Sequence, residues 1–284
     1  MKAYSSNQSG VALLQVLLMS AVISVLALQM SYSAKDKVSI AQTIQDKVMA
    51  EVELRTMESE LLFALATQRW VNEPQQDNLL AQRWNFYGRP FDYGNNGQIS
   101  IQDNSGLISV FNGGDRNTIE RAFGQLLGDK YKARMARSAL VEQQGYRQGS
   151  NQASLRGQFF QSRDEMLTAL EKLGISPDKA EMFTRIPYSA YLPLAAPDDS
   201  LRLWLPSRQA EAVIEARNKG RLTPEQFTQL TGLQKNDYML FYPSGRFMIQ
   251  IQVQKGEARA LKKMFINVSP TTRSQPIWNY GVEG

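Results

Sequence analysis

Two adjacent carboxylates are the first residues whose chemistry needs weighing: Asp198 and Asp199, in the run Ala195-Ala196-Pro197-Asp198-Asp199-Ser200. A pair of acids can hold a cation; calcium would need several oxygen ligands, usually more than one carboxylate. Asp residues after a proline are also ordinary turn composition, so a metal site and a plain turn both fit. The stretch Leu140 to Gln148, LVEQQGYRQ, offers only Glu142. Gly113-Gly114 before Asp115 reads as a loop and helix start, without the spacing of a phosphate cradle. No pair of acids has a spacing that points to acid–base work. The chain also contains neither His nor Cys, which excludes imidazole and thiolate metal sites, cysteine nucleophiles and histidine bases. These residues form no catalytic constellation, and the chain reads as a structural and interaction protein, not an enzyme.

Short helices must position these residues. Ser162-Arg163-Asp164-Glu165 is a capping box, with Gly174 as the stop. Ser176-Pro177 opens another helix with proline at its first position. Ser207 is placed to cap Arg208 to Lys219, which Gly220 ends, and Thr223-Pro224-Glu225-Gln226 caps the next. Two units of helix, glycine, short loop and capped helix result, from Glu165 to Phe183 and from Ala210 to Leu230. The aromatics Trp204, Tyr238 and Phe241 could serve either a partner surface or a core.

Strands flank this helical region. Gln98 to Ile101 and Leu107 to Val110 surround Asp103-Asn104-Ser105-Gly106, which predicts a hairpin. Tyr238 to Tyr242, Phe247 to Gln254 and Ala258 to Val268 predict a three-strand meander; the run FMIQIQVQ alternates as a half-buried strand should. The tail, residues 271–284, reads as poorly ordered, with Trp278 able to dock.

Charge is segregated at the N-terminus. The 284 residues carry a net charge of +5, yet Lys2 is the sole charged side chain among the first 34. Val11 to Met30, VALLQVLLMSAVISVLALQM, is long enough to cross a hydrocarbon core of about 30 Å. A secretory signal peptide is the alternative, with Val25-Leu26-Ala27 as its cleavage site. The charge rule for orientation is nearly mute, since Lys2 faces Lys35 and Lys37 across the span. No Gly or Pro occurs from Lys35 to Trp70, and Ile40, Ile44, Val48, Val52, Leu61 and Leu65, with Met57 nearby, predict one apolar helical stripe. A continuous helix from Val11 to Trp70 would measure roughly 90 Å.

A short polar segment, MKAYSSNQSG, ends in Gly10 directly against this apolar run. That arrangement resembles the leader of type IV prepilins and pseudopilins. The resemblance implies that a prepilin peptidase cuts between Gly10 and Val11 and methylates the new terminus at Val11. Glycine suits such a site as an extended residue without a side chain before the helix. The fifth mature residue of the superfamily is usually Glu, which neutralises a neighbour's terminal amine in the apolar filament core; here it is Gln15. A large chain lacking that Glu is similar to the K-type minor pseudopilin of type II secretion, which inserts an α-helical subdomain into a pilin fold. The stretch GQISIQDNSGLISVFNG resembles that class, although Leu107 and Ile108 stand where Arg and Asn are usual. LVEQQGYRQ replaces an acidic segment, and Leu201-Arg202-Leu203-Trp204 replaces an Asn-x-Asn-Thr-Ala signature.

The resemblance implies an α+β pilin-like fold: a long N-terminal helix, its first half transmembrane, packed on an antiparallel sheet with an inserted helix-hairpin-helix-like subdomain. Residues 1–10 would be the leader, 11–34 the membrane half of the helix, 35–111 the amphipathic half and first strands. Residues 112–237 would be the inserted subdomain, 238–270 the last strands and 271–284 the tail. It further implies a single-pass protein of the bacterial inner membrane, N-terminus cytoplasmic and C-terminal domain periplasmic, whose partners are prepilin peptidase and other minor pseudopilins. Two alternatives stay open: a minor pilin of a type IV pilus, and a membrane-anchored helix-hairpin-helix DNA receptor for competence. The isoelectric point near 9.3 and the cluster Lys130, Lys132, Arg134 and Arg137 favour the latter. Against it, the hairpin loops Leu173-Gly174-Ile175 and Lys219-Gly220-Arg221 each have one Gly, where DNA-binding hairpins usually offer Gly-x-Gly amides to phosphate. No nucleic-acid partner is therefore expected.

Overall fold

The computed structural model describes residues 8–70, 77–111, 116–144, 160–186, 190–219, 222–233, 239, 241–268 and 278–283. Leader residues 1–7, Gly113-Gly114, residues 145–148, Gly220-Arg221 and Tyr238 lie outside these. Helix α1, Gln8–Thr67, is continuous over 60 residues, or about 90 Å. Its straight-chain and small side chains lose little rotamer freedom on becoming helical. Helix α2 (Leu79–Arg83) follows, capped by the Asn78 side chain, which accepts from the Leu80 and Ala81 amides.

Strands β1 (Phe91–Tyr93) and β2 (Gly97–Asp103) pair as an antiparallel hairpin, and β3 (Ile108–Ser109) comes next. Helices α3 (Arg116–Leu127), α4 (Lys130–Gln143), α5 (Arg163–Lys172) and α6 (Pro177–Ala180) lead to β4 (Phe183–Thr184). Helices α7 (Asp198–Trp204), α8 (Ser207–Lys219) and α9 (Pro224–Thr231) complete the helical region. The chain closes with β5 (Arg246–Lys255), β6 (Ala258–Asn267) and β7 (Trp278–Glu283). The five-stranded sheet has the order β1-β2-β5-β6-β7 and is antiparallel throughout. The fold is thus α+β, one long helix laid on an antiparallel sheet, with a helical domain between two sheet strands.

Helix and sheet meet through complementary periodicities. Ala50, Leu54, Met57, Leu61, Ala64 and Leu65 are buried on α1, one face of a 3.6-residue period. Opposite them the alternate residues Ile99 and Ile101, then Phe247, Ile249, Ile251 and Val253, then Ala260, Met264 and Ile266, are buried on the sheet. Lys262 occupies the same inner face of β6, two residues from both Ala260 and Met264. Its Nζ lies 2.7 and 2.6 Å from the two carboxylate oxygens of Glu58 on α1. Two largely buried charges in so apolar a place are tolerable because each has the other.

The predicted apolar stripe of α1 divides. Met57, Leu61 and Leu65 are core, whereas Ile40, Ile44, Val48 and Val52 stay 57–60% exposed: Val52 lies between buried Ala50 and Leu54 but on the opposite side of the helix, and Ile40, Ile44 and Val48 precede Ala50, the first buried residue of α1 among those described. The hairpin predicted across Asp103 to Gly106 does not form. β2 pairs with β5 on one side and β1 on the other, and Ile108-Ser109 cross to the helical domain to pair in parallel with β4. The three residues Asn104–Gly106 make a 3₁₀ turn capped by Asp103, which redirects the chain. The C-terminal meander is likewise shifted: Met239 makes only an isolated bridge to Tyr191, and the third strand is β7, in the tail read as poorly ordered.

The helical domain has a core of its own, in which Phe123 packs on Phe183 at 5.5 Å and Trp204 stacks on Phe227 at 6.2 Å between ring centroids. Trp204 is therefore a core residue, and Phe241 packs against the same cluster. Ile108 and Val110 also belong to it. Capping chemistry holds at Ser162 and in the Thr223–Gln226 capping box. Ser207, expected as a cap, is instead the first helical residue of α8, and the Pro206 carbonyl accepts from Gln209 and Ala210.

Candidate functional site

The membrane-length part of α1 leaves its apolar side chains uncovered. Val11, Leu14, Leu18, Val22, Val25 and Met30 are all more than half exposed, so among the described residues this part of the helix is not packed against the rest of the chain. It is long and apolar enough to cross a membrane. Ser20 and Ser24 return their hydroxyl protons to the carbonyls of Leu17 and Ser20, at 2.9 and 2.8 Å, which removes donors that lipid could not satisfy. Gln15 and Gln29 are the polar side chains of the span that make no such return bond. Gly10, expected as an extended residue ahead of the helix, is helical, within the described span of α1.

The exposed row Ile40, Ile44, Val48 and Val52 continues the apolar surface beyond the span. These β-branched side chains recur every four residues along one side of the helix. An uncovered apolar row of this kind is a surface suited to packing against another apolar surface.

Asp198 and Asp199 form no loop. They open α7, where acids oppose the partial positive charge of a helix N-terminus. Asp198 pairs with Arg217 on α8, and Asp199 accepts from Arg202 at 3.0 Å. Arg202 also reaches Glu211 at 2.8 Å. Both carboxylates thus neutralise arginines, and among the described residues no group of three His, Cys, Asp or Glu side chains could hold a metal ion. Glu142 lies on α4, whose face carries Lys130, Lys132 and Arg134 exposed, while Arg137 turns to Glu120 at 3.7 Å.

One residue unmarked by sequence reasoning governs the junction of the two domains. Asp103, at the end of β2 and fully buried, accepts from the Ser244 amide and the Ser244 hydroxyl, both at 2.6 Å, and from the Ser105 amide at 2.8 Å. Ser244 precedes β5, so this carboxyl ties the strand that leaves for the helical domain to the segment that returns. Burial pushes its carboxyl up to about 6, against the hydrogen bonds from Ser244 and Ser105, which pull it down. Gly106 makes the junction close: a Cβ there would stand 2.1 Å from the Ala195 carbonyl oxygen. The Gln102 amide donates to that same oxygen at 2.9 Å, and the Leu192 amide to Ser105 at 2.7 Å. A buried Asp before a Gly-bearing turn was visible in sequence only as turn composition.

Among solved structures, the chain is similar to one in the GspK-GspI-GspJ complex from the type 2 secretion system of enterotoxigenic Escherichia coli. The identity is 12%, the match covers 87% of this chain and 98% of that one, and the TM-score is 0.48. No family model matches the chain, and no curated protein matches it.

Proposed function

We propose that this protein is a minor pseudopilin of a type II secretion system, a structural subunit at the tip of the periplasmic pseudopilus that helps to start its assembly. The carrying observation is α1: one unbroken helix whose first third is apolar all round, whose middle leaves the row Ile40, Ile44, Val48 and Val52 uncovered, and whose last third holds the sheet. Such a helix anchors in lipid before assembly and packs against sister helices after it. In this reading prepilin peptidase cuts after Gly10 at the cytoplasmic face of the inner membrane, and the sheet and helical domain lie in the periplasm. Other minor pseudopilins cover the exposed row.

Gln15 supports the tip position. A carboxylate at the fifth mature residue would pair with the terminal amine of the subunit assembled before it, and a tip subunit has no predecessor. An unpaired carboxylate in an apolar bundle costs several kcal/mol, whereas an amide carries no charge. The inserted helical domain adds bulk where a further subunit would stack.

Mass analysis of the membrane-extracted protein tests processing: the expected chain starts at N-methylated Val11, and a start near Leu28 or Lys35 overturns the reading. Because the chain has no Cys, Ile44→Cys or Val48→Cys gives a unique thiol. Cross-linking through it should capture other minor pseudopilins at low copy number. Capture of the same subunit repeated along a shaft would refute the tip assignment. Gln15→Glu is expected to be tolerated or mildly harmful, and Val22→Asp to abolish assembly.

A further inference from the structure

Between the helix–sheet unit and the helical domain lies a cavity of about 170 Å³. Aromatic walls come from both sides: Trp70, Phe86 and Tyr87 from the first, Phe241 and Tyr242 from the segment that returns from the second. Trp70 is fixed by its indole N–H, which donates to the Leu65 carbonyl at 2.8 Å, and by edge-on contact with Phe247 at 5.2 Å. Tyr242 remains 59% exposed at the rim. The volume is comparable to that of an engineered cavity of about 150 Å³ that admits benzene, so one aromatic ring fits.

Arg217 supplies the polar part of the wall. Its side chain is 5% exposed, and its guanidinium lies 3.8 Å over the Tyr87 ring. One terminal nitrogen donates to the Ala196 carbonyl at 2.5 Å and the other pairs with Asp198. The Nε–H has no acceptor among the described residues. A buried donor left without an acceptor is destabilising, and the planar guanidinium fork matches a carboxylate in two-point contact.

We propose that this junction cavity binds a C-terminal aromatic residue of a partner polypeptide, with the ring between Trp70 and Tyr242 and the terminal carboxylate on Arg217. The aromatic and proline surfaces, including Pro224 and Pro243, select the ring, and the guanidinium selects the free carboxylate over an amide or an internal peptide. The site involves neither the membrane helix nor the exposed row, so it is independent of the position of the protein in a filament.

The test uses the full chain in lipid nanodiscs and follows tryptophan emission, with Trp70 as the reporter. N-acetylphenylalanine, which mimics a peptide C-terminus and emits negligibly itself, should produce a saturable change that Trp70→Phe removes. N-acetylphenylalaninamide and N-acetylleucine should each bind at least tenfold more weakly. Arg217→Lys keeps a cation beside Asp198 without the fork, and should bind acid and amide alike. Leu194→Phe narrows the cavity and should weaken the acid at least tenfold, with thermal unfolding unchanged as the control for folding. No saturable change, or equal affinity for acid and amide in the unaltered chain, overturns the proposal. So does equal affinity for N-acetylleucine, or tighter binding of free phenylalanine than of its N-acetyl form, which would point to an amino acid instead of a polypeptide.

Discussion

Replacing Leu61 and Ile44 by Ala, one at a time, separates the two halves of the apolar stripe on α1. Each change removes three side-chain carbons from the same helix, but Leu61 is 0% exposed against the sheet and Ile44 is 60% exposed. At about 0.8 kcal/mol per buried carbon, Leu61→Ala forfeits about 2.4 kcal/mol of transfer free energy. The cavity left behind raises the expected loss to about 3–4 kcal/mol. Ile44→Ala loses little burial within the chain and gains a few tenths of a kcal/mol in helix propensity, so its stability should stay within about 0.5 kcal/mol of the parent. Urea unfolding of the full chain in detergent measures both, read from tryptophan emission, because Trp84 is fully buried in the helix–sheet core. The same two variants should separate in the opposite sense in assembly: folded Ile44→Ala should lose cross-links to sister subunits. A loss above about 1 kcal/mol for Ile44→Ala would refute the reasoning, since it would mean that this face is covered within the chain and is not kept for a partner.

Three further outcomes follow from the same structure. Asp103 titrates near 6 when folded, above an ordinary aspartate at 3.8, so its penalty is fully present above about pH 6 and is relieved as pH falls toward 4; the linkage is on the order of 3 kcal/mol, and comparing the pH dependence of unfolding with that of Asp103→Asn should show the parent alone gaining this increment. Glu58→Gln should cost roughly 1–3 kcal/mol in urea unfolding by leaving Lys262 largely buried without its counter-charge, whereas Glu58→Leu combined with Lys262→Met should recover much of that loss. Duplex DNA should bind only weakly, with affinity that fades steeply as salt rises; micromolar binding at physiological salt in fluorescence anisotropy, lost with Lys219→Ala, would support the competence reading instead.

The sequence by itself determined the features that depend on local chemistry. Absence of His and Cys excluded imidazole- and thiolate-based catalysis and metal sites before any fold was known. The uncharged run from Val11 and the absence of Gly and Pro as far as Trp70 were enough for one long helix, because propensity and periodicity act within a few residues. The caps at Ser162 and Thr223 and the alternation in β5 were legible for the same reason. Pairing partners were not. Ile108-Ser109 had hairpin chemistry around them, yet their partner is β4, more than seventy residues away, and the tail became an edge strand because β6 offered it a free side. Nor could the apolar row of α1 be divided in advance, since only the sheet decides which side of the helix is covered: Leu61 lies on the side it packs against, and Ile44, on another side and ahead of Ala50, does not. Asp198 read as a turn or a ligand until α8 brought Arg217 to it. Asp103 and Lys262 carry no local signal for what they do, because their roles exist only where distant segments converge: a carboxyl that joins the outgoing and returning strands, and an ammonium that fixes helix to sheet.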